Sequence, residues 1–287
     1  MDKITISNVS YVYSKDTPFE TSALKNVSVS FEKGKVTGVI GHTGSGKSTL
    51  VQMLNGLVRP TSGSVLLDGA DIWEKPKEIR SVRFRVGLVM QYPEYQLFDE
   101  TVERDIGFGP RNMGLSEDEV YRRVSEAMEF VKLPKSLLSR SPFELSGGQK
   151  RRVALAGIIA MRPEVLVLDE PAAGLDPRGK EEILGGIRAY LNYADTTVIL
   201  VSHSMEDMAK YCDNIVVMNH GEVLKSGTVS QVFAEVEKLH AVGLDIPEVT
   251  RIALLLQRRG YPLAGELYTV DGVKKAILAL LGRGNDA

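Results

Sequence analysis

Cysteine is nearly absent from this sequence: of 287 residues, only Cys212 carries a thiol. No intrachain disulfide can form, which suits a reducing compartment, and a lone cysteine reads as a small buried apolar residue. Long apolar runs are missing as well. The longest, such as Val153 to Met161, falls far short of the roughly 20 residues that cross a bilayer. The opening MDKITISNVSYVY alternates apolar and polar side chains like a strand and lacks the apolar core of a secretory leader. Nor is there a basic excess: 35 Lys and Arg stand against 37 Asp and Glu, a net charge of −2. That balance counts against bulk nucleic-acid binding, so no nucleic acid is expected among the partners. The chain is expected to be soluble, and any membrane process it serves needs another chain to do the spanning.

What is present is ordinary globular material, 43% hydrophobic and 25% charged, enough for one large domain and a smaller one. Residues 3–40 read as strands, ending in VTGVI before Gly41, and a helix is expected from Lys47 to about Leu57. A hairpin-like SGSVLLDG and a strand VGLVM follow, then a mainly helical stretch from Gln91 to about Ile159. Within it Ser116 and Glu119 have capping-box spacing, and Val120, Val124, Ala127, Met128 and Val131 share one helical face. VLVLD, TTVILVS and NIVVM then alternate with helices starting near Arg178 and Met205, and a short hairpin lies at GEVLKSG. Strands interleaved with crossover helices imply an α/β fold with a mostly parallel sheet covered on both faces. Beyond about residue 236 the pattern changes to two helical segments, near 247–258 and 270–282.

Chemistry concentrates in three motifs. GHTGSGKS, residues 41–48, fits the phosphate-loop pattern between a predicted strand and a predicted helix. Its glycines let backbone N–H groups turn inward around phosphates, and the following helix start favours negative charge. The candidate nucleotide contacts are therefore Gly41, His42, Thr43, Gly44, Ser45, Gly46, Lys47 and Ser48, with Thr49 next in line. Lys47 would reach the outer phosphates and Ser48 would offer its hydroxyl to Mg²⁺. In VLVLDE, residues 165–170, Asp169 ends a buried strand and can face that metal, while Glu170 suits a base that orients an attacking water. In LSGGQ, residues 145–149, Ser146, Gly147, Gly148 and Gln149 open a predicted helix and expose backbone donors to a second anion. Lys150, Arg151 and Arg152 follow where a helix dipole favours acids, so an anion is expected there too, with a solvated basic cluster as the alternative.

Taken in order, GHTGSGKS, Gln91, LSGGQ, VLVLDE, AAGLD and His203 resemble the nucleotide-binding subunit of an ATP-binding cassette (ABC) transporter over roughly residues 3–235. The resemblance implies a P-loop NTPase core with an antiparallel β part, a helical subdomain at about 91–160, and ATP and Mg²⁺ as cofactors. It implies two subunits paired head to tail, each LSGGQ capping the ATP held by the other's phosphate loop. Gln91 would contact Mg²⁺ and the attacking water, His203 the outer phosphate, and Asp176 would reach across the dimer. Tyr13 matches the aromatic that stacks on adenine, with Tyr11 as the alternative. Ala172 departs from the pattern, since the family often has a hydroxyl residue there.

One further passage, QYPEYQLFDETVERDIGFGPRNMGL, resembles the energising ATPases of energy-coupling factor transporters, importers of vitamins and transition-metal ions, and is most like the second of their two paired ATPases. The tail, with EKLHAVGLDIPEVTRIALLLQRRGYPL, resembles their short C-terminal helical domain, set at 236–287 and implied in dimerisation. The implied partners are a second homologous ATPase, a membrane coupling subunit and, through it, a substrate-binding membrane subunit, with this chain peripheral on the cytoplasmic side. Read from residues alone, the stretch 93–112 is either a docking surface for a basic partner helix or a loop packed on its own subdomain. Soluble ABC ATPases of translation or DNA repair are the alternative. The former usually carry two cassettes and the latter a long coiled-coil insert, neither of which is present. A nucleotide-dependent regulator without turnover is disfavoured by Glu170 and His203.

Overall fold

Three apolar runs, VLVLD, TVILV and NIVVMN, set the architecture, because each buries both of its faces. The computed structural model describes residues 1–282; the last five residues of the expected C-terminal unit lie outside the described residues. In chain order the first elements are β1 (Asp2–Tyr13), β2 (Thr21–Glu32), β3 (Val36–Ile40), α1 (Lys47–Leu54), β4 (Ser62–Leu67), β5 (Ala70–Asp71), α2 (Ile79–Arg85) and β6 (Val86–Val89). Three helices follow, α3 (Val102–Asn112), α4 (Glu117–Phe130) and α5 (Gly147–Ile159). Strand and helix then alternate through β7 (Val165–Asp169), α6 (Pro177–Ala194), β8 (Thr197–Val201), α7 (Met205–Tyr211), β9 (Asn214–Asn219) and β10 (Glu222–Thr228). Among the described residues four helices follow: α8 (Val229–Phe233), α9 (Val236–Ala241), α10 (Glu248–Arg258) and α11 (Val270–Leu280).

One sheet is four-stranded and antiparallel, in the order β2-β1-β4-β5. The other has six strands in the order β10-β9-β3-β8-β7-β6, all parallel except the antiparallel edge strand β10. Strand periodicity divides the second sheet's side chains cleanly. Leu166, Leu168, Val198, Leu200, Ile215 and Val217 join one core with the helices, while Val165, Val167, Ile199, Val201, Val216 and Met218 join another under the antiparallel sheet and α1. Leu239, Leu244 and Ile246 pack into the first of these cores, and Ala253, Leu263, Val273 and Ala276 form a third small cluster between α10 and α11.

Three expectations change locally. The helix after the phosphate loop stops at Leu54, because Gly56 turns to φ 69° and leaves the right-handed region. The short helix α2 was not foreseen: IRSVRFR buries only Val82, too little to give a helical stripe. The capping box of α4 is half formed. Ser116 accepts from the Glu119 backbone, but the Glu119 carboxylate turns to Arg122 and Arg123 instead.

A four-residue charge network joins the two sheets. Lys3 Nζ lies 2.8 Å from both carboxylate oxygens of Asp68 and 2.6 Å from Glu164 Oε2, and Arg85 Nε lies 2.7 Å from Glu164 Oε1 and also bonds Asp68. Arg85's hydrogen bonds, ahead of those of Lys3, hold the Glu164 carboxyl at about 2 against the upward push of burial. A depressed carboxylate stabilises the fold above its unfolded value, and that stabilisation is lost as pH falls through the folded value. Wild type should therefore melt above Glu164→Gln at pH 7, with the gap closing as the solution is acidified from about 4.5 toward 2. Thermal melts at stepped pH measure this; a gap of constant size would show that the ion pairs are not its source.

Candidate nucleotide site

Parallel strands put their carboxyl ends at one edge, and open α/β sheets bind ligands there. In this chain β3 runs into Gly41, β6 ends two residues before Gln91, β7 ends at Asp169, and β8 ends two residues before His203. Register fixes the alignment: Leu168 pairs with both Val89 and Leu200, and Val39 pairs with Val201.

The phosphate loop is held by its neighbours. Ser45 N–H donates to His42 O at 3.1 Å, Gly221 N–H donates to Ser45 O at 3.1 Å, and Lys25 N–H donates to Gly221 O at 2.8 Å. Gly46 stands at φ 102°, and a Cβ there would meet Ala23 O at 2.7 Å, so no larger residue fits. His42 Nε2 lies 3.1 Å from Asn219 Oδ1 at the end of β9. Lys47, buried at the start of α1, donates to Gly41 O at 2.6 Å and His42 O at 3.0 Å, which holds its ammonium across the loop. Burial pulls Lys47 below the ordinary lysine value, with Glu170 and Asp169 opposing. The Tyr13 hydroxyl lies 3.1 Å from Thr49 Oγ1, and the half-exposed Tyr13 ring meets Tyr11 edge-on at 4.7 Å. That places Tyr13 beside the loop, where its ring face can take a base.

Asp169 and Glu170 occupy the opposite wall. Burial pushes the Asp169 carboxyl up, against the Ser48 hydroxyl, Lys47 and His203. Burial and then the neighbouring Asp169 push Glu170 up to about 7, with Lys47 opposing. Glu170 also stands in the left-handed region at φ 51°, a conformation non-glycine residues keep only when their surroundings enforce it. His203 Nε2 lies 3.3 Å from Glu170 Oε1 without hydrogen-bond geometry, and that oxygen is buried with no hydrogen-bond partner among the described residues. Burial, then Lys47, lowers the His203 value, with Asp169 opposing. A cavity of about 260 Å³ adjoins the pair, lined also by Ser202, Ser204 and Asp207, which sequence reasoning did not single out.

The donor set suits Mg²⁺. Asp169, Ser48 and the Gln91 amide offer hard oxygens, and no three His, Cys, Asp or Glu side chains gather into a metal cage among the described residues. Magnesium commonly binds through one or two protein oxygens plus water and substrate phosphate.

At the second half-site, Ser146 caps α5 in a full capping box with Gln149, at 3.3 and 3.0 Å. The Cα hydrogens of Gly147 and Gly148 face open space. No hydrogen bond joins Ser146–Gln149 to residues 41–49 among the described residues. Asp176 Oδ1 accepts from Gly179 N at 2.7 Å and so caps α6 from an exposed position. The expectation of an anion beside Lys150–Arg152 is corrected for both arginines. Arg151 pairs with Glu94 at 3.0 Å and Arg152 with Glu182 at 2.6 Å, partners too distant in sequence to be seen from the motif.

A P-loop ATPase of the cassette type is thus defined by the fold and the motifs together. The family model for ABC transporters matches residues 24–173. The chain is 52% identical to the energy-coupling factor transporter ATP-binding protein EcfA2 of Caldanaerobacter subterraneus, covering 97% of each chain. It is 50% identical to the protein of the same name from Clostridium perfringens, covering 98% of this chain and 99% of that one. Among solved structures, cbiO1 from Clostridium perfringens, part of the ABC transporter complex cbiONQ, superposes with a TM-score of 0.75 at 37% identity, covering 89% of this chain and 99% of that one. The dimeric ABC transporter cassette MJ0796 gives 0.72 at 27% identity, covering 79% and 98%. The chain belongs to the ABC transporter family, and within it to the ATP-binding proteins of energy-coupling factor transporters.

Glu170→Gln should keep ATP affinity and lower turnover on the order of a hundredfold or more, since the amide preserves shape but cannot take a proton. Lys47→Ala should weaken ATP binding itself. Equilibrium binding of a fluorescent ATP analogue, beside steady-state hydrolysis, separates the two effects.

Proposed function

We propose that this chain is the ATP-hydrolysing subunit of an energy-coupling factor importer, peripheral on the cytoplasmic side of the cell membrane and paired head to tail with a second, homologous ATPase. Among the described residues no helix is long and apolar enough to cross a membrane, so coupling to transport requires a membrane partner. Mg²⁺ would be held by Ser48, Asp169 and Gln91, and it supplies charge neutralisation on the phosphates. Lys47 binds the outer phosphates, Glu170 takes the proton of the attacking water, and His203 donates toward the phosphate. Tyr13 stacks on the base. Ser146–Gln149 and Asp176 complete the site of the opposite subunit. We assign residues 1–235 to the nucleotide-binding domain, about 91–160 to its helical subdomain, and 236–287 to a C-terminal helical unit that helps hold the ATPase pair. Exposed Ile252, Leu255 and Val270 on that unit support the last assignment.

The observation that carries the transport reading is a groove of about 620 Å³ beneath the stretch 93–112. Phe84, Leu88, Met90, Phe98, Phe108 and Met161 line it, with Arg80 and Arg83 on the side of α2 and Asp105 on α3. Phe98 and Phe108 stack edge to face at 4.8 Å and remain 58% and 48% exposed. Leu97, next to Phe98 in the same stretch, is 6% exposed and packs inward. The acids are also partly engaged at home. Asp105 accepts from the Phe98 and Asp99 backbones at 2.9 and 3.0 Å, and Glu100 pairs with Arg104 at 2.7 Å. An amphipathic helix of the membrane coupling subunit, apolar toward the phenylalanines, is the occupant this groove fits.

Phe98→Ala with Phe108→Ala removes exposed rings whose truncation in a packed interface costs roughly 2 kcal/mol or more. The variant should bind ATP and melt like wild type, yet fail to co-purify with membrane subunits from detergent extracts. Undiminished co-purification and transport would refute docking at this groove.

A further inference from the structure

We propose that Arg151 is a positioning residue that ties the segment after Gln91 to the loop that carries Glu170. This rests on the ATPase reading above and adds a physical link between its docking groove and its catalytic residue.

Arg151 lies in the second turn of α5, two residues beyond the LSGGQ motif, and its side chain is 8% exposed. Its guanidinium is engaged in two directions. Toward the groove, Nη2 lies 3.0 Å from Glu94 Oε1 and Nε lies 3.2 Å from Glu94 Oε2, a bidentate pair. Toward the catalytic loop, Nη1 donates to the backbone carbonyl of Ala173. The Ala173 N–H in turn donates to the carbonyl of Glu170 at 3.2 Å, closing the turn that follows the base. An unbroken chain of hydrogen bonds therefore runs from the Glu94 carboxylate to the Glu170 backbone.

Both ends of that chain are constrained. Glu94 sits in a short 3-10 turn at Pro93–Gln96, directly before the Leu97 and Phe98 that build the groove, and Tyr92 ahead of it is left-handed at φ 57°. Glu170 is left-handed at φ 51°. Residues in that region keep their direction only while neighbouring contacts hold them. A planar guanidinium can hold a carboxylate in a fork and still donate from its remaining N–H to a third group; a lysine ammonium, a single point charge on a flexible stem, cannot span both at these positions. A shift of the turn at 93–96 thus pulls on Arg151, and through it on the turn behind Glu170.

The test uses the full chain paired with its partner ATPase and hydrolysing MgATP, with Arg151→Lys as the main variant because it keeps a positive charge beside Glu94. Its kcat should fall about tenfold or more while KM for ATP and the melting midpoint stay near wild type, the pattern of a displaced catalytic group. Glu94→Gln, which leaves the Ala173 bond in place, should lower kcat less. The double variant should be no slower than Arg151→Lys alone, as expected of two residues acting along one path. The proposal is overturned if Arg151→Lys turns over at the wild-type rate, if kcat falls only together with the melting midpoint, or if the losses of the two single variants multiply. Wild-type hydrolysis and its loss in Glu170→Gln check the ATPase reading separately.

Discussion

The parallel hydrogen-bond ladder through β9, β3, β8, β7 and β6 is the constraint on which everything else depends. β3, β6 and β8 lead into Gly41, Gln91 and His203 within two residues of their ends, and β7 ends on Asp169, itself paired with Val201, so the points at which these four residues leave the sheet are set by register. A slip of one residue in any pair would also send its apolar side chains to the wrong face, because alternate residues belong to different cores. Site geometry and core packing are thereby enforced by the same ladder.

Electrostatics at that edge follow from the burial the ladder creates. Lys47, Asp169, Glu170 and His203 are all displaced from their ordinary values, with burial the largest cause in each. Charge interactions between the buried Lys47 and Asp169 count for more than they would at an exposed surface. Glu170 combines a value near neutrality with an oxygen that lacks a hydrogen-bond partner among the described residues, and both suit a group waiting for a water molecule.

The fold was largely legible because its signals are local. VLVLD and TVILV are too short and too β-branched for helices, and the spacing of GHTGSGKS sits at a strand-helix junction. What was not legible depends on residues far apart in the chain. Arg151 and Arg152 read as an unpaired basic run, since Glu94 and Glu182 lie 57 and 30 positions away. Leu97 and Phe98 are adjacent in sequence yet one is buried and the other exposed, a split that no periodicity over so short a turn could reveal. Helix α2 escaped because a seven-residue helix with one buried side chain leaves almost no pattern. Tyr13 is one of several strand aromatics by sequence; its hydrogen bond to Thr49 is what sets it beside the loop.

The strand order carries a consequence for how the chain is made. β3, which leads into the phosphate loop, is flanked on both sides by strands that come very late: Val36 pairs with Val198, and Thr37 pairs with both Ile199 and Asn214. The antiparallel sheet can zip up from neighbouring segments as they leave the ribosome, whereas β3 must wait for most of the polypeptide before either edge is covered. During synthesis the nucleotide site is therefore among the last parts of the molecule to become rigid, and a nascent chain stalled before β8 would present an unpaired apolar strand where the finished protein holds its phosphate loop.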